Sequence, residues 1–178
     1  MSIAPQIVPP QILAADPRLT VFVTANAGSG KTTTLVNRVA RLLLAEARPD
    51  AILCVTYTKA AAAEMQARLF DQLGGWAVMD DRELAKAVAA LDDGDPAALS
   101  EARLSEARRL FARALETPGG LKIQTIHAFC EKLLRRFPLE AGVSPRFTVL
   151  EDQAATALSH AARGRVMQDI ARAVQAAA

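Results

Sequence analysis

An apolar run, a glycine-containing turn and a helical pattern follow one another near the start of the chain, and this succession constrains the fold more than any other feature. The sequence predicts a short buried strand at residues 20–24 and a helix from about Lys31 to Ala47. The turn between them, residues 25–30, contains two glycines and leads into a lysine and three threonines. A strand, a glycine turn and a helix in this order are the context in which a phosphate-binding loop occurs.

The residue types of this loop suit the binding of a nucleoside triphosphate. Gly28 and Gly30 allow the backbone to wrap, so that its N–H groups and the N-terminus of the following helix face the phosphates. Lys31 adds a positive charge at the β- and γ-phosphates, and the Thr32 hydroxyl is suited to Mg²⁺. Kinases, GTPases, transporters and helicases all use such loops, so the loop alone leaves the activity open. The residues predicted to bind the nucleotide here are Ala25, Asn26, Ala27, Gly28, Ser29, Gly30, Lys31, Thr32 and Thr33.

A second strand and a second helix follow at the spacing of a βαβ unit. Residues 51–56 form a continuous apolar run, which predicts a parallel strand buried on both faces. A helix is predicted from 59 to 73, where Gly74 and Gly75 should end it. Strands that alternate with helices in this way indicate an α/β fold with a parallel sheet.

Residues 76–118 interrupt the alternation, and their pattern predicts a helical insertion. The segment is acidic, rich in alanine and free of strand signals. Asp80 or Asp81 is expected to cap a first helix, and Asp95 with Pro96 is expected to start a second.

Sheet character returns after the insertion. We expect a strand at 121–126, a helix from about His127 to Phe137, a strand at 146–150 and then a long alanine-rich helix. The predicted domain organisation is an interrupted sheet domain at 1–75 and 119–150, an insertion at 76–118, and the start of a further helical region at 151–178.

Composition and charge exclude several classes of protein. Of the residues 51% are hydrophobic, but 37 are alanine and only 4% are aromatic, which favours helices and argues against an all-β sandwich. A net charge of +2 excludes binding of nucleic acid by bulk charge, so such contacts must be local. No apolar run approaches the ~18 residues of a membrane helix, and the N-terminus lacks a signal-peptide pattern. Cys54 and Cys130 are expected to be buried thiols in a reducing cytoplasm.

Three further sequence elements accompany the loop. Gln11 lies 14 residues before Ala25, a Thr-Tyr-Thr-Lys run follows the predicted strand 51–56, and a Thr-x-His-x-x-Cys pattern begins at Thr125. The set resembles that of superfamily 1 DNA helicases of the UvrD/Rep class. In that class the first loop position is commonly alanine, as at Ala25.

The resemblance implies roles for these elements. Gln11 would read adenine, since a side-chain amide both donates and accepts hydrogen bonds. Single-stranded DNA would meet an aromatic face at Tyr57 and phosphate-binding groups beside it. The residues that the resemblance assigns to DNA are Tyr57, Thr58, Lys59, Thr125, His127 and Phe129.

Within that class the chain looks like AddA, the helicase–nuclease subunit of bacterial double-strand-break repair, and the resemblance covers nearly all of it. It implies a phosphate-loop NTPase of RecA-like fold with ATP and Mg²⁺ as cofactors. The partners that it implies are single-stranded or duplex-end DNA and a second subunit of AddB type. The expected location is the bacterial cytoplasm, at the nucleoid and away from the membrane.

The resemblance also implies groups that this sequence lacks. The family's ATPase uses an Asp-Glu pair after a later strand, and the chain has no Asp-Glu dipeptide. Glu151 and Asp152 stand in the reverse order, and two acids in the first turn of a helix explain them. We therefore expect the N-terminal part of a larger enzyme, an incomplete motor domain with no catalytic residues beyond Lys31 and Thr32. This part alone is expected to be inactive.

The sequence leaves two other interpretations open. The chain could be a free-standing nucleotide- and DNA-binding module without turnover. It could also be a different enzyme with a phosphate-binding loop, such as a small kinase, but that interpretation requires an acid pair and lid arginines that we do not find.

Overall fold

The computed structural model describes residues 9–26, 28–150 and 152–176. The chain divides into two compact units, Met1–Glu131 and Lys132–Ala178. Two 3₁₀ turns occur at Pro49–Ala51 and Pro96–Ala98. The helices and strands of the described residues are α1 (Pro10–Ala14), α2 (Lys31–Leu44), β1 (Leu53–Thr56), α3 (Lys59–Val78), α4 (Asp81–Ala89), α5 (Glu101–Glu116), β2 (Lys122–Thr125), α6 (Ile126–Arg136) and α7 (Asp152–Ala176).

Strands β1 and β2 form a parallel pair whose ends are aligned. Leu53 lies opposite Lys122, and Thr56 lies opposite Thr125. After this last pair each strand leads into a helix, β1 into α3 and β2 into α6. The predicted parallel arrangement of these two strands is therefore confirmed. The residues that follow both strands meet at one edge of the sheet, where ligands bind in open α/β sheets.

The two other predicted strands, 20–24 and 146–150, are wrong. In the described part of the chain the sheet contains β1 and β2 alone, and neither of these segments is paired. Phe22, at the centre of the first segment, is 95% exposed. A strand needs hydrogen bonds from a neighbouring strand, and an apolar pattern does not supply that neighbour.

Strand β1 is less buried than its apolar run predicts. Cys54 points into the core, whereas Leu53 and Val55 on the opposite face are exposed. The expectation of burial on both faces is therefore wrong. The reason is that the core of the first unit, with Met65 of α3 beside Cys54, covers one side of the strand pair.

Helix α3 continues past the two glycines that should end it. It reaches Val78, and Trp76 in the added turn is only 2% exposed. A side chain at Gly74 would meet the Phe111 ring of α5 at 3.5 Å, so glycine allows the two helices to approach closely. Burying a tryptophan outweighs the roughly 1 kcal/mol that glycine costs inside a helix. Tertiary packing thus overrides the local stop signal.

The buried face of α3 is correctly predicted from its spacing, and it packs on α2, α4 and α5 to form the core. The largest fully buried side chains are Trp76, Leu43, Leu44, Leu69, Leu73, Leu84, Leu110 and Val39.

Helix caps are correctly predicted at one insertion helix and wrong at the other. Asp80 caps α4, since the Glu83 amide donates to its Oδ1 at 2.8 Å. Asp95 caps only the 3₁₀ turn that follows it, and Ser100 caps α5 instead. The reason is that Leu99 is extended between the turn and the helix and packs against the core.

Removing the Asp80 cap should measurably destabilise the first unit. We expect Asp80→Ala to lower the free energy of unfolding by about 0.5–2 kcal/mol, because one helical N–H loses its acceptor. Asp80→Asn is the matched control, since asparagine caps about as well as aspartate. Urea unfolding of the three proteins checks this, and equal destabilisation by both variants would contradict the capping role.

The second unit contains the end of α6, the loop after it and α7. The guanidinium carbon of Arg135 lies 5.0 Å from the centre of the Phe147 ring, a cation–π contact. Helix α7 is found where it is predicted, and its apolar stripe, including Leu158 and Ile170, is exposed. Of the helices in residues 9–26, 28–150 and 152–176, none combines the length and apolar character that a membrane crossing needs.

Candidate nucleotide site and nucleic-acid interface

The loop before α2 has the backbone conformation that its glycines predict. Gly28 and Gly30 have φ angles of 78° and 84°, a left-handed conformation that side chains rarely adopt. Gly30 is the N-cap of α2, and its carbonyl accepts a hydrogen bond from the Thr34 amide at 2.9 Å. Ala27 lies outside the described residues. The loop therefore delivers the chain directly onto the N-terminus of a 14-residue helix.

The Lys31 side chain folds back across this loop. Its Nζ donates to the carbonyl of Ala25 at 2.9 Å and to that of Asn26 at 2.5 Å. The Ser29 hydroxyl donates to the Asn26 carbonyl as well, at 2.8 Å. The ammonium group is thus held at the mouth of the loop by neutral acceptors. Phosphate oxygens carry charge and can replace them in stronger hydrogen bonds.

Gln11 and Lys31 line one cleft of about 470 Å³. Ala25 and Ser29 of the loop line it too, with Thr34 one turn into α2. The volume falls in the range of small-molecule sites, about 300–1,000 Å³. The structure thus brings together the predicted adenine-reading amide and the predicted phosphate-binding cation.

Thr32 and Thr33 lie in the first turn of α2. Thr33 is exposed, whereas Thr32 is half-buried and lines a second cavity of about 170 Å³ with Lys31 and Thr56. A hydroxyl oxygen is a ligand that Mg²⁺ accepts, and this ion keeps several waters when few protein ligands are present. Thr32 fits the role of a single protein ligand. Elsewhere in the described ranges, no three His, Cys, Asp or Glu side chains cluster as a metal site.

An aromatic pair lies where the two strands end. The Tyr57 and His127 ring centres are 6.3 Å apart, and the rings meet edge to face at 83°. Tyr57 is 81% exposed, and His127 is exposed as well. Because Thr56 and Thr125 are paired, the residues that follow them are held side by side. The Tyr57 ring presents an open face on which a base can stack.

The two threonines assigned to DNA act as helix caps. Thr58 Oγ1 accepts a hydrogen bond from the Ala61 amide at 3.1 Å, and Thr125 Oγ1 accepts one from the Ala128 amide at 3.1 Å. Each hydroxyl still has a proton to donate, but Thr125 is only 8% exposed. Its geometry indicates that it orients the start of α6, and with it His127.

The remaining predicted residues differ in exposure. Lys59 is exposed at the first position of α3, and Phe129 is half-buried, as packing requires. Cys54 is buried as predicted, and burial raises the pKa of its thiol. Cys130 is exposed, so the expectation of two buried thiols is wrong. It lies on α6, which contributes no fully buried residue.

Of the two acids that stand in reverse order, one belongs to the described part of the chain. Glu151 lies outside the described residues, and Asp152 begins α7. Its place at the first helical position agrees with the helix-start explanation of these two acids.

Sequence reasoning missed a polar cluster beside the cleft. Asp16 is 7% exposed, and Arg18 donates to its carboxylate from Nε at 3.1 Å and from Nη2 at 2.7 Å. Arg41 of α2 lies 3.9 Å from the same carboxylate, and Arg38 donates to the Asp16 carbonyl at 2.5 Å. The signal was present in α2, where Lys31, Arg38 and Arg41 recur at helical spacing.

The hydrogen bonds from Arg18 hold the pKa of Asp16 well below its ordinary value of 3.8. A carboxyl group with a lowered pKa in the folded state stabilises the protein above the pKa of the unfolded chain, and this stabilisation is lost as pH falls. We therefore expect Asp16→Asn to be less stable than wild type near pH 7, with the difference shrinking below about pH 4. Urea unfolding at several pH values measures this. An acid limb of equal slope in both proteins would contradict it.

Comparison with known proteins adds a family. Residues 10–176 match the family described as "UvrD/REP helicase N-terminal domain". The ATP-dependent helicase/nuclease subunit of Enterococcus faecalis is 36% identical over 138 residues, which is 78% of this chain and 9% of that protein. The proteins of the same name in Lactobacillus acidophilus and Desulforudis audaxviator are 34% and 39% identical, over 86% and 78% of this chain and 11% and 9% of their own. The chain thus spans about a tenth of the length of these relatives.

Proposed function

The chain belongs to the UvrD/REP helicase N-terminal domain family, and on this premise we propose that it is the ATP- and single-stranded-DNA-binding part of an ATP-dependent DNA helicase. We propose further that the helicase is a helicase–nuclease acting in double-strand-break repair and recombination. The observation that carries the proposal is that one cavity is lined by Lys31, Thr32 and Thr56. Thr56 is the residue before Tyr57, so the phosphate loop and the aromatic pair adjoin at one sheet edge.

In this proposal the nucleotide lies in the cleft of Gln11 and Lys31. The loop amides and the N-terminus of α2 bind the phosphates, and the Lys31 ammonium leaves the Ala25 and Asn26 carbonyls to bind the β- and γ-phosphates. Gln11 pairs with the adenine edge. The Thr32 hydroxyl supplies one ligand to Mg²⁺, which neutralises phosphate charge when bound.

Single-stranded DNA is proposed to cross the edge where β1 and β2 end. A base stacks on Tyr57, whose ring is supported from the side by His127. Thr58, Lys59 and His127 supply donors to phosphate around that ring. Because β1 joins this surface to the nucleotide cavity, a change at the γ-phosphate has a short path to the strand.

The wider assignments follow from the same premise. We propose a RecA-like fold of the phosphate-loop class for 1–75 and 119–150, with 76–118 as its insertion and 151–178 as the start of a further region. As partners we propose a duplex DNA end and a second subunit of AddB type. The proposed location is the bacterial cytoplasm, at the nucleoid.

A nucleotide- and DNA-binding module without turnover is the alternative, and an unwinding assay distinguishes the two. The complete protein that carries this domain should separate a duplex with a single-stranded tail when ATP and Mg²⁺ are present. Its Lys31→Ala variant should bind the same DNA without separating it. DNA binding with no ATP-dependent unwinding by the wild-type protein would favour the alternative, and unwinding that survives Lys31→Ala would refute the proposed nucleotide site.

A further inference from the structure

One face of α2 connects the nucleotide cleft to the segment that carries Gln11. Lys31, Thr34, Arg38 and Arg41 follow one another at spacings of three, four and three residues, which places them on one side of the helix. Lys31 and Thr34 line the cleft together with Gln11. The same side of the helix thus begins at the phosphates and ends at two arginines.

These arginines bind the backbone that follows Gln11. Arg38 donates from Nη1 to the carbonyls of Ala14 at 3.2 Å and Asp16 at 2.5 Å, and from Nη2 to that of Leu19 at 2.7 Å. Arg41 donates from Nη1 to the carbonyl of Ile12 at 2.9 Å.

Asp16 adds a charged anchor to the same contacts. It is almost fully buried, and its carboxylate faces Arg41 at 3.9 Å as well as its near neighbour Arg18. Removing one partner of such a cluster leaves the other groups with unmet hydrogen bonds.

Helix α1 depends on these bonds for its position. It has five residues, far fewer than an isolated helix needs, and none of them is fully buried. Apolar packing begins only at Ala15, the residue after the helix. The arginine bonds therefore account for much of what holds α1, and the Gln11 side chain on it, at a fixed distance from the phosphate loop.

We propose that Arg38 and Arg41 are positioning residues that set the adenine specificity of the nucleotide site, because they hold the segment 12–19 and so fix Gln11 over the cleft. The inference rests on the proposed function of Gln11. It assigns no nucleotide contact to either arginine. Their guanidinium groups act through backbone carbonyls, in a planar geometry that lysine does not reproduce.

The test compares ATP and GTP affinities in a double-mutant cycle. Gln11→Ala, Arg38→Ala and the double variant are titrated with each nucleotide in the presence of Mg²⁺. We expect each single variant to reduce the ATP-over-GTP preference about tenfold, the effect of losing roughly one hydrogen bond, and the double variant to reduce it no further. Additive losses, or an unchanged preference in Arg38→Ala, would overturn the positioning role.

Arg113→Ala is the matched control. Arg113 donates to the carbonyls of Leu43 and Ala47 at the far end of the same helix, and it pairs with Glu106. We expect this variant to lose stability while keeping the ATP-over-GTP preference. If it lost the preference to the same extent as Arg38→Ala, a general loosening of α2 would replace the proposal.

Hydrogen exchange separates failure of this inference from failure of the proposed function, because it needs no nucleotide. The amides of Ala15, Asp16 and Leu19 are hydrogen-bonded within the held segment. Arg38→Ala should accelerate their exchange, and Arg113→Ala should not. Unchanged exchange would refute the holding role even if ATP binds. Faster exchange in a protein that shows no preference for ATP would instead refute the role of Gln11, and with it the link to specificity.

Discussion

Lys31→Ala should reduce the affinity for ATP and Mg²⁺ by about 10- to 150-fold, the range expected for losing a hydrogen bond to a charged group. The Lys31 ammonium is held at the mouth of the loop by two neutral carbonyls, so it is free to exchange them for phosphate oxygens. Titration calorimetry of wild type and variant measures the change.

Lys86→Ala is the control for this loss of one positive charge. Lys86 is an exposed lysine on α4 and does not line the cleft. We expect its affinity for ATP to equal that of wild type. Equal affinities for wild type and Lys31→Ala would show that the loop is not the nucleotide site.

Tyr57→Ala should weaken binding of single-stranded DNA by about 5- to 150-fold, since stacking of a base on an aromatic ring contributes roughly 1–3 kcal/mol. The ring is 81% exposed and is contacted from the side by His127, which leaves a face for the base. Tyr57→Phe should retain most of the affinity, because it keeps the ring and removes only the hydroxyl. Fluorescence anisotropy with a labelled oligonucleotide measures all three proteins. An unchanged dissociation constant in Tyr57→Ala, or an equal loss in both variants, would contradict stacking.

Local signals predicted most of the secondary structure. The glycine turn before α2, the Asp80 cap and the buried stripe of α3 all depend on residues within one or two turns of each other. Such interactions are encoded by spacing, and spacing can be read directly. The parallel pairing of β1 and β2 was also predictable, because a strand–helix–strand order leaves few alternatives.

The errors occurred where distant residues decide the outcome. Whether 20–24 becomes a strand depends on a neighbour that its own pattern does not contain. Helix α3 passes through Gly74 because Phe111, far along the chain, packs against that glycine. Helix α5 starts at Ser100 because Leu99 is drawn to the core.

The candidate site shows the same division. The loop and the Tyr57 motif could be predicted as short patterns. The burial of Thr125 and the bonds from Arg38 to Ala14 and Leu19 could not, because they require knowing which segments pack together.

The central claim is that ATP and single-stranded DNA bind the same chain at adjoining but separate sites. The most direct measurement is to titrate a labelled oligonucleotide into the chain already saturated with a fluorescent ATP analogue and Mg²⁺, following both labels. We predict that the strand binds and that the nucleotide stays bound, because the cleft of Gln11 and Lys31 and the Tyr57–His127 pair involve different residues. Displacement of the nucleotide by the strand would mean that one general anion site accepts both ligands. That result, or failure of either ligand to bind, would contradict the claim.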